Sequence, residues 1–221
     1  MAEFQQIPYV FQPIVDATKG NRVIGYEALI RPKGMTPVEY IQMKTKEGSL
    51  ESVEFETFVN SIRQFKERDL KGRLFINSFP YIMLEKNKLS YIKELAGDMY
   101  RDIFVENLEY GIVVDKAKLA MKYESIRDMG FRVVLDDFGS GINSIAALNA
   151  ITPEIVKIDR SFISGCTRDL LRKNTVEIVT DVIKSHGAKA LAEGIETHEE
   201  YEFIKSLDIG YMQGFYLGRP S

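Results

Sequence analysis

The sequence is poor in the residues that build disulfides and soft metal sites. Its 221 residues include a single cysteine, Cys166, and two histidines, His186 and His198. One cysteine cannot form an intrachain disulfide, which favours a reducing compartment. Both histidines lie outside the predicted strand ends, so a Ser–His–Asp triad has no good histidine, and no Cys–His cluster exists for a thiolate zinc site.

The sequence also lacks a secretion signal and a membrane span. The first ten residues, MAEFQQIPYV, contain no basic region followed by an apolar stretch. No apolar run approaches the roughly 20 residues of a spanning helix. The formal net charge is only −3, from 29 basic and 32 acidic residues, which argues against duplex nucleic acid as a partner but allows a local anion site. We therefore expect a cytoplasmic protein with no membrane partner.

Short apolar runs of strand length alternate with segments of helical periodicity. The predicted strands are residues 9–15, 23–30, 74–79, 102–108, 131–138, 154–159, 188–194 and 211–217. Runs such as FRVVL and DIFV are apolar without alternation, which is typical of strands covered on both faces. The predicted helices are residues 53–69, 113–129, 168–185 and 198–206. Gly130 and Gly187 follow two of these helices as stop signals.

This alternation predicts an α/β fold with a mostly parallel sheet. Eight predicted strands within 221 residues fit a TIM (β/α)8 barrel. The link between the first two strands, TKGNR and its neighbours, is too short for a helical crossover. We therefore predict a modified barrel with one antiparallel strand near the N-terminus, formed by a single domain over residues 1–221 that includes no sensor domain.

Ionisable or amide residues lie at the ends of seven predicted strands. These residues are Glu27, Asn77, Glu106, the pair Asp136 and Asp137, Lys157, Glu193 and Gln213. The carboxyl ends of parallel barrel strands meet at one face, which holds the active site of TIM barrels. An isolated carboxylate is usually a solvated surface group. Carboxylates that directly follow apolar strand residues do not fit that description, so we predict a polar site at this face.

The predicted site brings together four carboxylates, those of Glu27, Glu106, Asp136 and Asp137. Two like charges ~4 Å apart repel by about 4 kcal/mol at an effective dielectric constant of ~20. All four can be ionised together only if a cation is present. Oxygen ligands suit hard divalent ions, so the sequence predicts a site for Mg²⁺ or Mn²⁺.

Motifs over nearly the whole chain resemble the EAL-domain family of cyclic di-GMP phosphodiesterases. The segment YEALIR (26–31) resembles the family signature, and the tripeptide alone is a weak match. Further matches follow in family order: FQPI (11–14), FIN (75–77), ENLE (106–109), DDFGSG (136–141), VKIDR (156–160), AEGIET (192–197) and QGFYLGRP (213–220). The resemblance implies a modified barrel with one antiparallel strand. It also implies hydrolysis of one phosphodiester bond of cyclic di-GMP to linear pGpG, which lowers this second messenger.

The resemblance further implies two metal ions, each with its own set of ligands. The residues that resemble ligands of the first ion are Glu27, Asn77, Glu106 and Asp136. Asp136 would bridge to a second ion that Asp137 also binds. Glu193 and Gln213 resemble residues that hold the second ion or the waters at the metals.

Catalytic and substrate roles are implied in the same way. Lys157 resembles the residue that orients or deprotonates the attacking water, acting with Glu193 and Glu27. Nearby cations would depress the pKa of Lys157, which suits a base, and a purely electrostatic role is the alternative. Gln12 and Arg31, together with Gln213, resemble substrate contacts. Glu109 resembles an anchor of the DDFGSG loop.

The chain departs from the family pattern at several positions near the pocket. Pro32 stands where tryptophan is usual, Leu108 replaces a threonine, and Ile142 and Asn143 replace an aromatic residue and a serine. None of these changes removes a predicted metal ligand. Two other functions therefore stay open: a cyclic di-GMP receptor or protein-interaction module that has lost catalysis, and a phosphodiesterase for another dinucleotide. A homodimer is expected from the resemblance alone.

Overall fold

Eight strands close into a barrel in sequence order, within the residues that the computed structural model describes, 7–107, 115–139 and 145–221. The strands are β1 (Tyr9–Asp16), β2 (Arg22–Ile30), β3 (Arg73–Ser78), β4 (Ile103–Asn107), β5 (Arg132–Phe138), β6 (Ile155–Ile158), β7 (Lys189–Ala192) and β8 (Tyr211–Met212). This closed barrel confirms the predicted fold class.

Helices connect the strands and cover the barrel. They are α1 (Pro37–Lys46), α2 (Leu50–Glu67), α3 (Lys86–Ala96), α4 (Lys116–Asp128), α5 (Ile145–Ile151), α6 (Arg160–Ile163), α7 (Leu170–Ser185) and α8 (His198–Ser206). The prediction included α2, α4, α7 and α8 and missed the other four. Of the missed helices, α5 and α6 have only seven and four residues, and α1 buries a single residue, Tyr40, so little apolar periodicity marks it.

The first strand runs against both of its neighbours. β1 pairs antiparallel with β2 and with β8, whereas the other neighbouring strands pair in parallel. A single 3₁₀ turn, Ala17–Lys19, joins β1 to β2, and Gly20 and Asn21 reverse the chain with φ of 66° and 59°. The short connection therefore identified the antiparallel pair correctly.

The last strand is shorter than predicted. Residues 211–217 are mostly apolar or aromatic, but β8 contains only Tyr211 and Met212. The chain then turns onto Ile195, whose N–H donates to Gln213 and whose carbonyl accepts from Tyr216. Gly214 makes this approach possible, because a Cβ there would lie 2.1 Å from the Ile195 carbonyl oxygen.

An apolar layer fills the barrel interior beneath the carboxyl ends of the strands. Its buried members are Ile14, Phe75, Phe104, Val134, Ile155 and Leu191. Phe75 and Phe104 stack with ring centroids 4.8 Å apart. A larger apolar cluster lies between the sheet and the surrounding helices. The interior is thus a packed core, and the polar site lies on top of it.

Candidate metal centre

A layer of polar side chains lies directly above the interior apolar layer. In five strands, a step of two residues leads from the apolar layer to a predicted site residue: from Phe75 to Asn77, Phe104 to Glu106, Val134 to Asp136, Ile155 to Lys157 and Leu191 to Glu193. Side chains two residues apart on a strand share a face. Glu27 pairs with Gln12 across β1 and β2. The strand register therefore brings these residues to one rim.

The Lys157 ammonium lies at the centre of this cluster. Its Nζ is 2.7 Å from Glu193, 3.0 Å from Glu106, 3.0 Å from Asp136 and 3.4 Å from Glu27. The lysine side chain is 1% exposed, and that of Glu106 is fully buried. Four carboxylates around one ammonium leave three excess negative charges if all are ionised.

Burial and crowding shift the titration of the cluster. Burial would lower the pKa of Lys157, but the four carboxylates raise it well above its usual value. Burial raises the pKa of Glu106 and Glu193 well above the usual range, although Lys157 opposes this. Burial also opposes ionisation of Glu27, yet Lys157 and two amides lower its pKa. The surrounding carboxylates thus raise the pKa of Lys157, whereas the sequence predicted a lowered one. A net lowering of the pKa of Lys157 in this site therefore has to come from bound cations.

Asp137 reaches the same rim although it follows Asp136 directly. Neighbouring side chains on a regular strand point to opposite faces, but the β5–β6 register shifts between Leu135 and Phe138 and Asp137 has φ of 49°. Oxygens of Asp136, Asp137 and Glu193 lie within 4.8 Å of one another. Burial, followed by the charge of Asp136, raises the pKa of Asp137 to about 7.

Two amide side chains donate to the Glu27 carboxylate, and a third amide, that of Gln12, is hydrogen-bonded to one of them. Gln213 donates to Glu27 Oε2 at 2.7 Å, and Asn77 donates to Glu27 Oε1 at 3.2 Å. Gln213 also donates to Gln12 Oε1 at 3.2 Å, and Gln12 donates to the Gly218 carbonyl at 3.2 Å. These contacts fix the orientation of the Glu27 carboxylate.

The donor set fits a hard divalent cation. Among the described residues, neither oxygen of buried Glu106 accepts a hydrogen bond beyond its ion pair with Lys157, and the buried amide oxygen of Gln213 accepts none. Surplus buried acceptors of this kind are costly unless they have a partner. All the candidate ligands are carboxylate or amide oxygens, which suit Mg²⁺ or Mn²⁺.

Two cavities adjoin the cluster. One, of about 220 Å³, is lined by Glu27, Glu193 and Gln213 together with Asp159, Arg160 and Phe215. The other, of about 300 Å³, is mostly apolar and is lined by Asn77, Tyr9, Pro37, Ile41, Phe79 and Arg31. A ligand that contacts the cluster can therefore extend into either cavity.

One predicted substrate contact, Arg31, makes none of the described contacts with the carboxylate cluster. The exposed Arg31 donates to its neighbour's carbonyl at Ile30 and lines the apolar cavity. Glu109 lies outside the described residues. The sequence interpretation assigned no role to Asp159, Arg160 or Phe215, although the first two directly follow β6 and Phe215 is two residues after Gln213.

Known proteins resemble this chain in both sequence and fold. A sequence model of the EAL domain family matches residues 3–220. The chain is 28% identical over 156 residues to the probable cyclic di-GMP phosphodiesterase PdeA of Escherichia coli K12, an alignment that covers 69% of this chain and 21% of that protein. It spans 21–28% of the length of three curated bacterial relatives.

Solved structures of other proteins superpose on this chain over nearly its whole length. The standalone EAL protein of Vibrio cholerae O395, in its c-di-GMP bound form, superposes with a TM-score of 0.89 at 25% identity, over 100% of this chain and 94% of that chain. The manganese/cyclic-di-GMP complex of Klebsiella pneumoniae BlrP1 superposes with a TM-score of 0.85 at 25% identity, over 99% of this chain and 57% of that chain. No described helix is both long and apolar enough to cross a membrane. With the family match extending over almost all of its residues, the chain belongs to the EAL domain family.

Proposed function

We propose that this chain hydrolyses one phosphodiester bond of cyclic di-GMP to give linear pGpG, and that it needs two divalent ions, Mg²⁺ or Mn²⁺. The observation that carries the proposal is the convergence of four carboxylates on Lys157, with Asp137 beside them. Relatives named as cyclic di-GMP phosphodiesterases support the choice of substrate. A structure with manganese supports the choice of metal class.

The candidate ligands divide into two overlapping sets. We assign Glu27, Asn77, Glu106 and Asp136 to one ion. We assign Asp136, Asp137 and Glu193 to the other, because their oxygens lie within 4.8 Å of one another. When bound, the two ions supply Lewis acid stabilisation of the phosphate oxygens and generate a nucleophile from water at neutral pH.

Lys157 and the amides organise these ligands. The ammonium contacts four carboxylates at once and so holds them at one point in the barrel. Gln213 and Asn77 orient Glu27 through its two oxygens. Lys157 as a base and Lys157 as a purely electrostatic group are both compatible with this position, and a Lys157→Arg variant separates them, because it keeps the charge but cannot accept a proton.

The cavities suit a dinucleotide with two flat bases. Tyr9, Pro37 and Phe79 give the larger cavity an apolar wall, and Phe215 is exposed at the smaller one. Arg31 at the edge of the larger cavity can pair with a phosphate through its planar donors. This arrangement favours a substrate whose phosphates lie at the cluster and whose bases lie on either side.

The decisive experiment is turnover of cyclic di-GMP by the purified chain with Mg²⁺ or Mn²⁺, followed by chromatographic detection of pGpG. Glu27→Ala should abolish turnover while the fold remains, and Glu67→Gln, at an exposed position of α2, should not. A folded sample that gives no pGpG with either ion would overturn the proposal. Metal-independent binding without hydrolysis would instead identify a receptor. The homodimer stays a prediction that light scattering can check.

A further inference from the structure

A buried ion pair between α2 and α4 contacts the chain just beyond Asn77. Lys122 Nζ lies 2.9 Å from Glu54 Oε1, and the two side chains are 4% and 2% exposed. Both residues lie outside the motifs that mark the rim of the barrel. We call this pair, with its contacts to residues 78 and 79, the Glu54–Lys122 clamp.

The clamp binds both backbone polar groups of one residue, Phe79. The Phe79 N–H donates to Glu54 Oε2 at 2.9 Å, and Lys122 donates to the Phe79 carbonyl. The Ser78 hydroxyl donates to Glu54 Oε1. The β3–β4 pairing ends at Ser78, just before the buried Phe79. Buried backbone groups need hydrogen-bond partners. The Phe79 carbonyl accepts from the Ile82 N–H at 3.3 Å, and the clamp adds a charged partner to each backbone polar group of Phe79.

Asn77 is the residue next to the clamp, on the opposite face of β3. Successive side chains on a strand alternate between faces. Ser78 accordingly points outward to Glu54, whereas Asn77 points inward and donates to Glu27. Because residues 78 and 79 directly follow Asn77, holding their backbone in place also restricts the position of the Asn77 side chain at the site.

Stability alone does not account for a charged pair at this position. When an ion pair is buried, the solvation free energy that it loses is about as large as the free energy of attraction between its charges. A well-packed apolar pair at the same place is often equally stable. Apolar side chains could not bind the N–H and the carbonyl of Phe79. We therefore expect the main effect of the pair to be on the position of the backbone at Phe79 rather than on the free energy of unfolding.

We propose that Glu54 and Lys122 are positioning residues that hold Asn77 as a metal ligand. This inference rests on the proposed function, because it takes Asn77 to bind a divalent ion. The clamp acts from behind the strand: its side chains contact each other, Ser78 and Phe79, and among the described residues neither of them lines the cavity that contains Glu193. Its loss should weaken metal binding even where the fold survives.

The test measures Mn²⁺ binding directly, by calorimetry or by the electron paramagnetic resonance signal of free Mn²⁺, without any substrate. The variant Glu54→Gln/Lys122→Met removes both charges and so leaves no unpaired buried ion. We expect its Mn²⁺ dissociation constant to rise about 10- to 100-fold, as for other residues that orient metal ligands. Circular dichroism and the thermal midpoint confirm that the variant is folded at the measuring temperature.

The matched control is a second Glu–Lys pair whose glutamate, Glu51, also lies on α2. Lys88 contacts Glu51 at 2.5 Å, joins α3 to α2 and is partly exposed. Glu51→Gln/Lys88→Met changes the same charges one turn away from Glu54, and Mn²⁺ affinity should not change. If the clamp variant does not fold, Ser78→Ala replaces it, because it removes one clamp contact and keeps both charges. A severalfold weaker Mn²⁺ affinity is then expected.

The Asn77→Ala background distinguishes positioning from general destabilisation. Once the positioned ligand is gone, the clamp substitutions should weaken Mn²⁺ binding by no more than about twofold further. A wild-type chain that binds Mn²⁺, with a folded clamp variant that binds it equally well, would overturn this inference and leave the proposed function standing. A folded wild-type chain that binds no Mn²⁺ would overturn both.

Discussion

The Lys157 ammonium lies 2.7 Å from a carboxylate oxygen of Glu193, at the end of a lysine side chain that is 1% exposed. The same ammonium contacts three further carboxylates, so it is the one positive charge that the described part of the chain places among them. We expect bound cations to share with this lysine the balancing of the carboxylate charge, so both should affect stability.

Lys157→Met should destabilise the metal-free protein. Removing one partner from a buried ionic cluster costs about 3–5 kcal/mol, because the remaining charges have no compensation. Urea unfolding in the presence of a chelator measures the loss, and added Mn²⁺ should restore part of it. The control Lys184→Met removes an exposed lysine that lies 3.8 Å from Asp208, and it should change stability by less than about 1 kcal/mol. Equal losses in both variants would contradict the prediction.

Glu106→Gln should have opposite effects with and without metal. In a chelator, the variant should be at least as stable as the wild type, because it removes a buried carboxylate whose pKa burial raises. With Mn²⁺ at a hundredfold excess over its dissociation constant, the wild type should gain about 2.7 kcal/mol. The variant should gain much less. Thermal unfolding of both proteins, in chelator and in Mn²⁺, measures which of the two is more stable in each condition. The control Glu67→Gln should respond to Mn²⁺ as the wild type does. A full Mn²⁺ response of Glu106→Gln would rule out Glu106 as a ligand.

Glu200 should stabilise the protein in a way that depends on pH. Its carboxylate accepts from the N–H groups of Gly165, Glu196 and Thr197 at 2.8–3.1 Å. Burial opposes ionisation, but these hydrogen bonds lower its pKa. A lowered carboxyl pKa adds stability above the usual glutamate value of ~4.3, and that stability is lost as the pH falls through the lower folded value.

The substitution Glu200→Gln should therefore cost about 1.5–3 kcal/mol near neutral pH. The difference from the wild type should shrink as the solution is acidified below about pH 4. Urea unfolding across pH gives the comparison. The exposed Glu202→Gln on the same helix is the control and should show no such dependence. A difference that stays constant with pH would mean that the carboxylate charge contributes nothing.

Gly214→Ala should be more damaging than substitution of a glycine in open space. An added Cβ would lie 2.1 Å from the carbonyl oxygen of Ile195, in a segment directly after Gln213. We expect a loss of about 3 kcal/mol, together with weaker Mn²⁺ binding. Gly48→Ala meets no neighbouring atom and should cost only the ~1–2 kcal/mol of its left-handed backbone. Similar losses at both positions would argue against the close approach to Ile195.

Sequence reasoning located the polar rim because strand periodicity and chain order determine it. The step of two from Phe104 to Glu106, or from Ile155 to Lys157, can be read from the printed residues. Residues on different strands then meet because the barrel closes. This explains why Glu27 and Lys157, far apart in sequence, were assigned to one site and lie 3.4 Å apart.

Other features depend on packing that periodicity does not describe. The turn after Met212 depends on contact between Gly214 and Ile195, so the predicted length of the last strand was wrong. The clamp on Phe79 needs side chains from α2 and α4 to meet behind β3, and neither Glu54 nor Lys122 belongs to a recognisable motif. The side-chain position of Arg31 likewise depends on rotamers rather than on sequence spacing.

The pairing of β1 with β8 has a consequence for synthesis of the chain. Val15 pairs with Met212, so the barrel can close only after nearly two hundred intervening residues have been made. Gln213, which orients Glu27, follows that pairing directly. Contacts of such long sequence separation form late and slowly. A ribosome-bound chain that has emerged only as far as β7 would hold most of the carboxylates without a closed barrel around them, so metal capture is expected to be one of the last events in its maturation.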